Sequence, residues 1–366
     1  MMGPRARTIL TGFALATSWT WCIGMFAPFV MGQRWGWPGV VAFAVPNVLG
    51  CALFGYLRSR ARSLGETRDH AWAFALFSAA TVAYQVFFAG WLGGPVVAEA
   101  QRAELGESTA LVAGLLFAAA AALSFLPRRA LWLVCALAFP ASLSTFLFLP
   151  WDRMHALPAS GEWTLTQLWY VLPTIAFGFA LSPNLDLTFH RARQDAADPA
   201  RPREFAVFGV AFASMLALTC AYMAAPAGLT LPAVRVHIVI QLVLTAALHL
   251  NELRASRIAP WGKAALGAGA GVVGLVAAIG FPGQDTYLRF LGLYGLVFPA
   301  YAVLALRARG TPSMAGLLAT TAAVAATAPI VDRAFNDGPT PAALLGFLVP
   351  VAVALVFGRG RAPANA

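Results

Sequence analysis

Apolar residues run through this chain in long blocks, each closed by a short knot of arginine, proline or glycine. A helix needs about 20 apolar residues to cross about 30 Å of hydrocarbon. Twelve stretches meet or approach that length: 8–31, 36–57, 71–93, 109–126, 130–150, 164–189, 205–226, 234–251, 262–281, 287–306, 312–330 and 340–358. Two tails and eleven short loops are left over, so no stretch remains for a separate soluble domain. The pattern predicts an all-α polytopic membrane protein.

Composition agrees. Of 366 residues, 60% are hydrophobic and 11% charged, against roughly a quarter charged in a soluble domain. With Phe 26 and Trp 11, the apolar content exceeds what one soluble core can hide. A soluble enzyme, a disordered tail and a nucleic-acid-binding module are excluded. The partners expected are the lipid bilayer and a small-molecule solute, with no nucleic acid; oligomeric state is not legible. The net charge of +10 resembles that of a DNA-binding protein, but the basic residues form short clusters between apolar runs.

Those clusters set a topology, because arginine and lysine accumulate in cytoplasmic loops. With the N-terminus inside, the inner segments take Arg5 and Arg7, Arg58 to Arg68, Arg128 and Arg129, Arg191 to Arg203, Arg254 to Lys263, Arg307 and Arg309, and Arg359 and Arg361. The outer side keeps only Arg34, Arg102, Arg153, Arg235, Arg289 and Arg333. Miscounting one helix would move every later cluster to the wrong side. Twelve spans with N and C termini inside, in the inner (plasma) membrane, is the expectation. The first apolar run is longer than a signal-peptide core and lacks a small-residue cleavage site, so it reads as a span. Cys22, Cys51, Cys135 and Cys220 fall inside spans and form no CxxC pair, reading as small apolar packers.

Polar residues inside a membrane need partners or water and are the first functional candidates. The first span holds Thr17-Ser18-Trp19-Thr20-Trp21-Cys22-Ile23-Gly24 and then Pro28, a run that weakens the backbone ladder around Gly24. It reads either as a kinked packing helix or as a discontinuous helix whose freed carbonyls face a ligand. The sixth span holds Ser182-Pro183-Asn184-Leu185-Asp186-Leu187-Thr188-Phe189-His190-Arg191. Pro183 interrupts it, and a helix restarting there would take Ser182 or Asn184 as cap and Asp186 in its first turn. Asp186 is the one carboxylate placed within a span. It is either a first-turn acid or partner of Arg191, or the group that binds or relays a cation. The eighth span carries His237, Gln241, Thr245 and His249 at four-residue steps along one stripe. Tyr84-Gln85 sits near the middle of the third.

Two other signals carry less. Gly269 to Gly274 matches GxGxxG inside the ninth span, with no strand before it; Gly267 and Gly271 read as a GxxxG packing face. His237 and His249 raise a membrane-embedded enzyme or haem protein as the rival class. A second haem-ligating helix would need histidines at matching depth, and His70, His155 and His190 lie near interfaces.

The two suspected breaks fall in the first and sixth spans. Two five-helix units of opposite topology, each opening with a broken helix, form a recurring transporter plan. Here the sequence resembles the LeuT-fold transporters of the amino acid–polyamine–organocation superfamily. Ser182 to His190 resembles the broken sixth helix of the NRAMP branch, although Ser182 stands where that branch has its metal-binding methionine. Ser18 to Leu57, with Trp21 to Phe26 and the Gly-Trp-Pro-Gly turn at 36–39, resembles the sodium–solute symporter branch. That branch implies sodium held between first-helix carbonyls and eighth-helix hydroxyls, where this chain offers Thr245 alone.

The resemblance implies a 5+5 inverted repeat, 8–150 and 164–306, with two additional helices at 312–358 in a single transmembrane domain 1–366. It implies secondary active transport of a small organic solute, coupled to Na+ or H+, by alternating access, with no catalytic residue, metal or other cofactor. Trp19, Trp21, Gly24, Tyr84, Gln85, Phe177, Phe179, Ser182, Asn184 and Gln241 would bind substrate. Asp186, His190 and Thr245 would bind the coupling ion or proton. A major-facilitator-type 6+6 bundle is the other transporter reading, but Gly55-Tyr56-Leu57-Arg58-Ser59-Arg60 lacks the aspartate of that family's loop.

Overall fold

The computed structural model describes residues 3–308 and 311–358; Arg309, Arg359 and Arg361, three of the cations assigned inside, lie outside the described residues. Secondary structure among the described residues is helical. The helices are α1a Pro4–Trp19, α1b Cys22–Trp35, α2 Trp37–Leu57, α3 Ala71–Gln101, α4 Leu105–Leu123 and α5 Arg128–Phe148. They continue with α6a Leu165–Leu181, α6b Leu187–Gln194, α7 Glu204–Ala224, α8 Pro232–Ala255, α9 Pro260–Gly280, α10 Gln284–Ala308, α11 Met314–Asn336 and α12 Ala342–Phe357. Among the described residues ten helices, or eleven with the bent pair α1a–α1b counted as one span, are long and apolar enough to cross a membrane. The twelfth apolar helix has 16 residues, a rise of about 24 Å, shorter than the hydrocarbon. The chain is an integral membrane protein. Large apolar side chains such as Leu53, Leu115, Val210, Val272, Leu318 and Leu348 point outward, as a lipid-facing surface requires.

Helix contacts repeat with a shift of five. α1 packs on α7, and α6 on α2; α3 packs on α9, and α8 on α4; α5 packs on α1, and α10 on α6. Five is odd, so each helix traverses the bundle opposite to its counterpart. A 6+6 bundle would repeat with a shift of six. α11 and α12 pack on each other and on α10, outside the repeat.

Glycine decides how closely α9 meets its neighbours. A Cβ on Gly274 would lie 2.5 Å from the Ala83 carbonyl oxygen of α3, and one on Gly271 would lie 2.8 Å from the Phe117 ring of α4. The nearest atom to one on Gly267 would be 3.9 Å away. The close-packing face is therefore Gly271 with Gly274, one turn beyond the Gly267/Gly271 pair expected from GxxxG spacing.

Candidate functional site: two broken helices and the α8 stripe

The break in the first span lies at Thr20–Trp21, where Thr20 leaves helical geometry (ψ 67°) and Trp21 is extended (ψ 171°). The two halves meet at 60°. The sequence centres the weakness on Gly24 and Pro28. Pro28 instead sits inside α1b, and its missing N–H frees the Gly24 carbonyl, which accepts from Thr219 Oγ1 of α7 at 3.0 Å. The Phe212 ring of α7 also packs there, so Gly24 serves the α1–α7 contact and is not brought to the break.

The backbone groups released at the break are taken by side chains, as buried backbone demands. Trp21 Nε1 donates to Ser18 O at 2.6 Å and Thr245 Oγ1 of α8 to Thr17 O at 2.9 Å, while Thr20 Oγ1 adds a bond of 2.7 Å to Ala16 O, which still accepts from Thr20 N. On the other half, Cys22 N donates to Gln85 Oε1 of α3 at 3.1 Å. Gln85 Nε2 has no partner among the described residues.

In the sixth span the apolar helix ends in a 3-10 turn, Ser182–Asn184, and a short, polar, buried helix follows as α6b. Neither Ser182 nor Asn184 caps it. Asp186 is itself the N-cap, and its Oδ1 accepts from Thr188 N and Thr188 Oγ1, both at 2.7 Å. The helix restarts later than the sequence suggested because Ser182 and Asn184 are bound backwards. Ser182 Oγ donates to Gly178 O at 2.5 Å, and Asn184 Nδ2 to Leu181 O at 3.0 Å. Phe179 O, left without an N–H by Pro183, accepts from the Cys51 thiol at 3.5 Å. The two broken spans are tied to each other: Ser18 Oγ of α1a lies 3.0 Å from Thr188 Oγ1 of α6b.

Asp186 is fully buried, and among the described residues its second oxygen, Oδ2, has no hydrogen-bond partner. The nearest basic group is His249 Nε2 of α8, 3.9 Å away and also without a partner. Arg191, the partner sequence offered to Asp186, pairs with Glu252 at 3.1 Å. His190 is satisfied on both ring nitrogens, by Ser63 Oγ at 2.8 Å and Asn184 O at 3.1 Å, and holds the short helix Arg60–Asp69 against α6b.

The expected aromatic wall is partly assembled. Trp21 packs on Tyr294 of α10 (5.0 Å between ring centres), Phe77 of α3 (5.6 Å) and His249 (5.7 Å). Trp19 stacks beside Trp21 and donates to Asn47 Oδ1, which lies in a π-helical turn of α2. Phe179 packs on Phe43. Phe177 is 49% exposed and stacks on Phe347 of α12, so the fold does not bring it to this cluster. Tyr84 donates to Tyr287 O at 2.8 Å. Gln241 donates to Ser142 Oγ of α5 at 2.7 Å, two turns from His249 towards the opposite face of the bundle.

The sequence motifs contain Ser18, Thr188 and His249 without marking them as site residues, and give no sign of Ser78 or the α10 tyrosines as part of the site. His249 is visible on the α8 stripe, and Trp21 and Phe77 pack against its ring, in the space a macrocycle would need. Tyr287, Tyr294 and Tyr301 recur every seven residues, a one-face signal that was there to be read.

A cleft of about 520 Å³ opens at the face of the bundle that carries the N-terminus, walled by Arg58, Glu66, His70, Phe74, Asn184 and Leu185. Arg58 is held there by Glu66 at 2.8 Å and by Asn184 Oδ1. Beside the α6 break, between α6a and α10, a void of about 20 Å³ lies against Met31, Phe179, Ser182 and Tyr294. That is room for a water and not for an organic solute. Towards the opposite face, Arg34 of α1b lies 4.3 Å over the Trp163 ring and donates to Phe335 O. Among the described residues no cluster of three or more His, Cys, Asp or Glu side chains is placed to hold a metal.

No protein-family model matches the chain, and no curated protein sequence matches it. Its fold is similar to a solved structure, that of Mhp1, a nucleobase-cation-symport-1 family transporter in a closed conformation with bromovinylhydantoin bound. The similarity has a TM-score of 0.48 at 15% identity and covers 95% of this chain and 91% of that one.

Proposed function

We propose that this chain is a secondary active transporter that moves a small organic solute by alternating access, coupled to a cation, in an inner (plasma) membrane with both termini cytoplasmic. One observation carries the reading: two broken helices, five positions apart in a bundle whose contacts repeat every five helices, are cross-tied at Ser18 and Thr188 beside a buried, half-satisfied carboxylate. Broken helices are costly in a bilayer and persist where they face a ligand or an ion. The repeats would run 8–150 and 164–306, with 312–358 as two added helices.

Substrate would bind where Trp21, Phe179, Ser182, Tyr84 and Gln85 converge, once the packed rings separate. Thr245 and Asp186 would stand on the coupling side. A cleft open at one face, with Arg34 packed on Trp163 towards the other, fits one half of an alternating-access cycle. No residue is assigned a catalytic role.

The test is a thermal-shift screen of the detergent-purified chain with amino acids, nucleobases, polyamines and sugars, each with and without sodium and across pH. A bound ligand raises the melting temperature by mass action. The expected result is a stabilising ligand whose effect, like its uptake into proteoliposomes, is lost in Asp186→Asn. If nothing in those four classes stabilises the protein under any ion condition, the transporter reading falls.

A further inference from the structure

We infer that Asp186 and His249 form a proton-binding site, in which Asp186 Oδ2 carries the proton and His249 Nε2 accepts from it. This deepens the transporter reading above by naming its coupling ion, and rests on that reading.

The geometry separates the two carboxylate oxygens. Oδ1 is filled by the two donors of Thr188, while Oδ2 is empty-handed and faces a histidine nitrogen that is empty-handed too. Both side chains are fully buried. An ionised carboxylate in such surroundings is expensive unless a counter-charge is well placed. At 3.9 Å the imidazole is too far for a good ion pair, yet a movement of about 1 Å brings the two atoms to hydrogen-bonding distance. One proton on Oδ2 removes the charge and supplies the missing donor in the same step. It also fixes the imidazole tautomer: Nε2 accepts, and Nδ1–H points to Ser78 Oγ, 3.5 Å away.

The groups around the pair are already neutralised or engaged. On α8, Glu252 is held by Arg191 of α6b. On α6b itself, His190 is satisfied at both nitrogens. At the end of α2, Arg58 is held by Glu66 of the short helix Arg60–Asp69, which also takes Arg62. The Cys51 thiol of α2 is bound to Phe179 O, and Tyr294 of α10 is bound to Thr81 of α3 at 2.8 Å. Tyr84 of α3 is bound to Tyr287 O, and Ser18 of α1a meets Thr188 of α6b. None of these is free to compensate an ionised Asp186.

The site is also placed to be gated. The cleft at the N-terminal face reaches Asn184 and Leu185, the residues just before Asp186 in the chain, and stops at Phe74. Opening that wall exposes the pair to water, where the carboxyl can release its proton. Closing it favours the protonated, neutral pair. Ser18–Thr188 carries the change to the break in α1.

Infrared difference spectroscopy of the whole chain in lipid nanodiscs, between acidic and alkaline buffer, tests this. The wild type should show the C=O stretch of a buried protonated carboxyl that disappears on alkalinisation, and Asp186→Asn should lack it. His249→Gln should keep the band but move its titration midpoint by about one pH unit or more, while His237→Gln leaves it in place. Asp186→Glu, which retains an acid, should shift the band without abolishing it; this keeps the assignment decidable if the asparagine variant does not fold. Replacing choline chloride by sodium chloride at fixed pH should change nothing.

A band that survives Asp186→Asn, or a midpoint indifferent to His249→Gln, overturns the proposal. So does suppression of the band by sodium, which would make this an alkali-cation site. The failures are distinguishable: a ligand hit without the titrating band leaves a transporter coupled otherwise, whereas the band without any ligand leaves a buried acid in a protein that is not this transporter.

Discussion

His237 and His249 stand twelve residues apart on one helix, about 18 Å along its axis. Both are buried, and both leave Nε2 without a partner. Their surroundings divide them. His237 shares Ser142 Oγ with Gln241, its Nδ1 lying 3.0 Å away, and packs beside the Tyr222 ring. His249 faces a carboxylate across a gap. The first is a node of neutral hydrogen bonds joining α5 and α8, with α7 packed beside it; the second is half of an acid–base pair between α8 and the broken sixth span. Residue type and position on a stripe were equal, so the partner across the interface decides which histidine can exchange a proton for function.

Ser142→Ala should break this comparison most forcefully if it is wrong. Removing one hydroxyl strands two buried groups, His237 Nδ1 and Gln241 Nε2, and should cost about 2 kcal/mol or more of stability. The melting temperature should fall while the Asp186 carboxyl titration stays put. A displaced titration would mean that the two ends of the α8 stripe act as one network.

Gln85→Leu should have a smaller effect. Cys22 N loses its acceptor at the start of α1b, worth about 1 kcal/mol, and the amides of the first turn of α1b should exchange hydrogen faster. Unchanged exchange would show that α1b is held by the Thr219 and Tyr222 contacts to Gly24 and Met25 instead.

Much of the architecture was legible because the bilayer imposes simple rules. Apolar blocks gave the helices, and proline with small polar residues marked spans one and six as the breakable ones. The location of each break was not legible, since it depends on who takes the freed carbonyls. Pro28 disturbs nothing because Thr219 on a helix far along the chain answers it. At Thr20–Trp21 no proline is present, yet the helix parts, with Thr245 and Gln85 reaching in from α8 and α3. Asp186 could be picked out as a lone intramembrane acid, but its pairing with His249 rather than Arg191 is a tertiary fact; Glu252 had to claim Arg191 first. Phe177 and Phe179 differ by two positions, which in a helix turns a side chain to another face, and only the second reaches the interior.

A third histidine gives the mildest test, because it stands outside the spans. His70 precedes α3 at the cleft, where its Nδ1 lies 2.9 Å from the Tyr301 hydroxyl of α10. Burial holds its pKa below the usual value, against the opposing pull of Glu66 and Asp69. In the unfolded chain the group titrates near 6.5. As pH falls through that value the unfolded chain takes up a proton that the folded one still refuses, so the folded state loses stability on acidification. The stabilising contribution is complete above about pH 7 and declines towards the lower folded pKa. Wild-type protein should therefore lose melting temperature relative to His70→Gln as pH falls from about 7 to about 5, whatever the opposing contribution of the Asp186 carboxyl, which both proteins share. A difference between the two that stays constant with pH would show that His70 is not an acid-sensitive group of the fold.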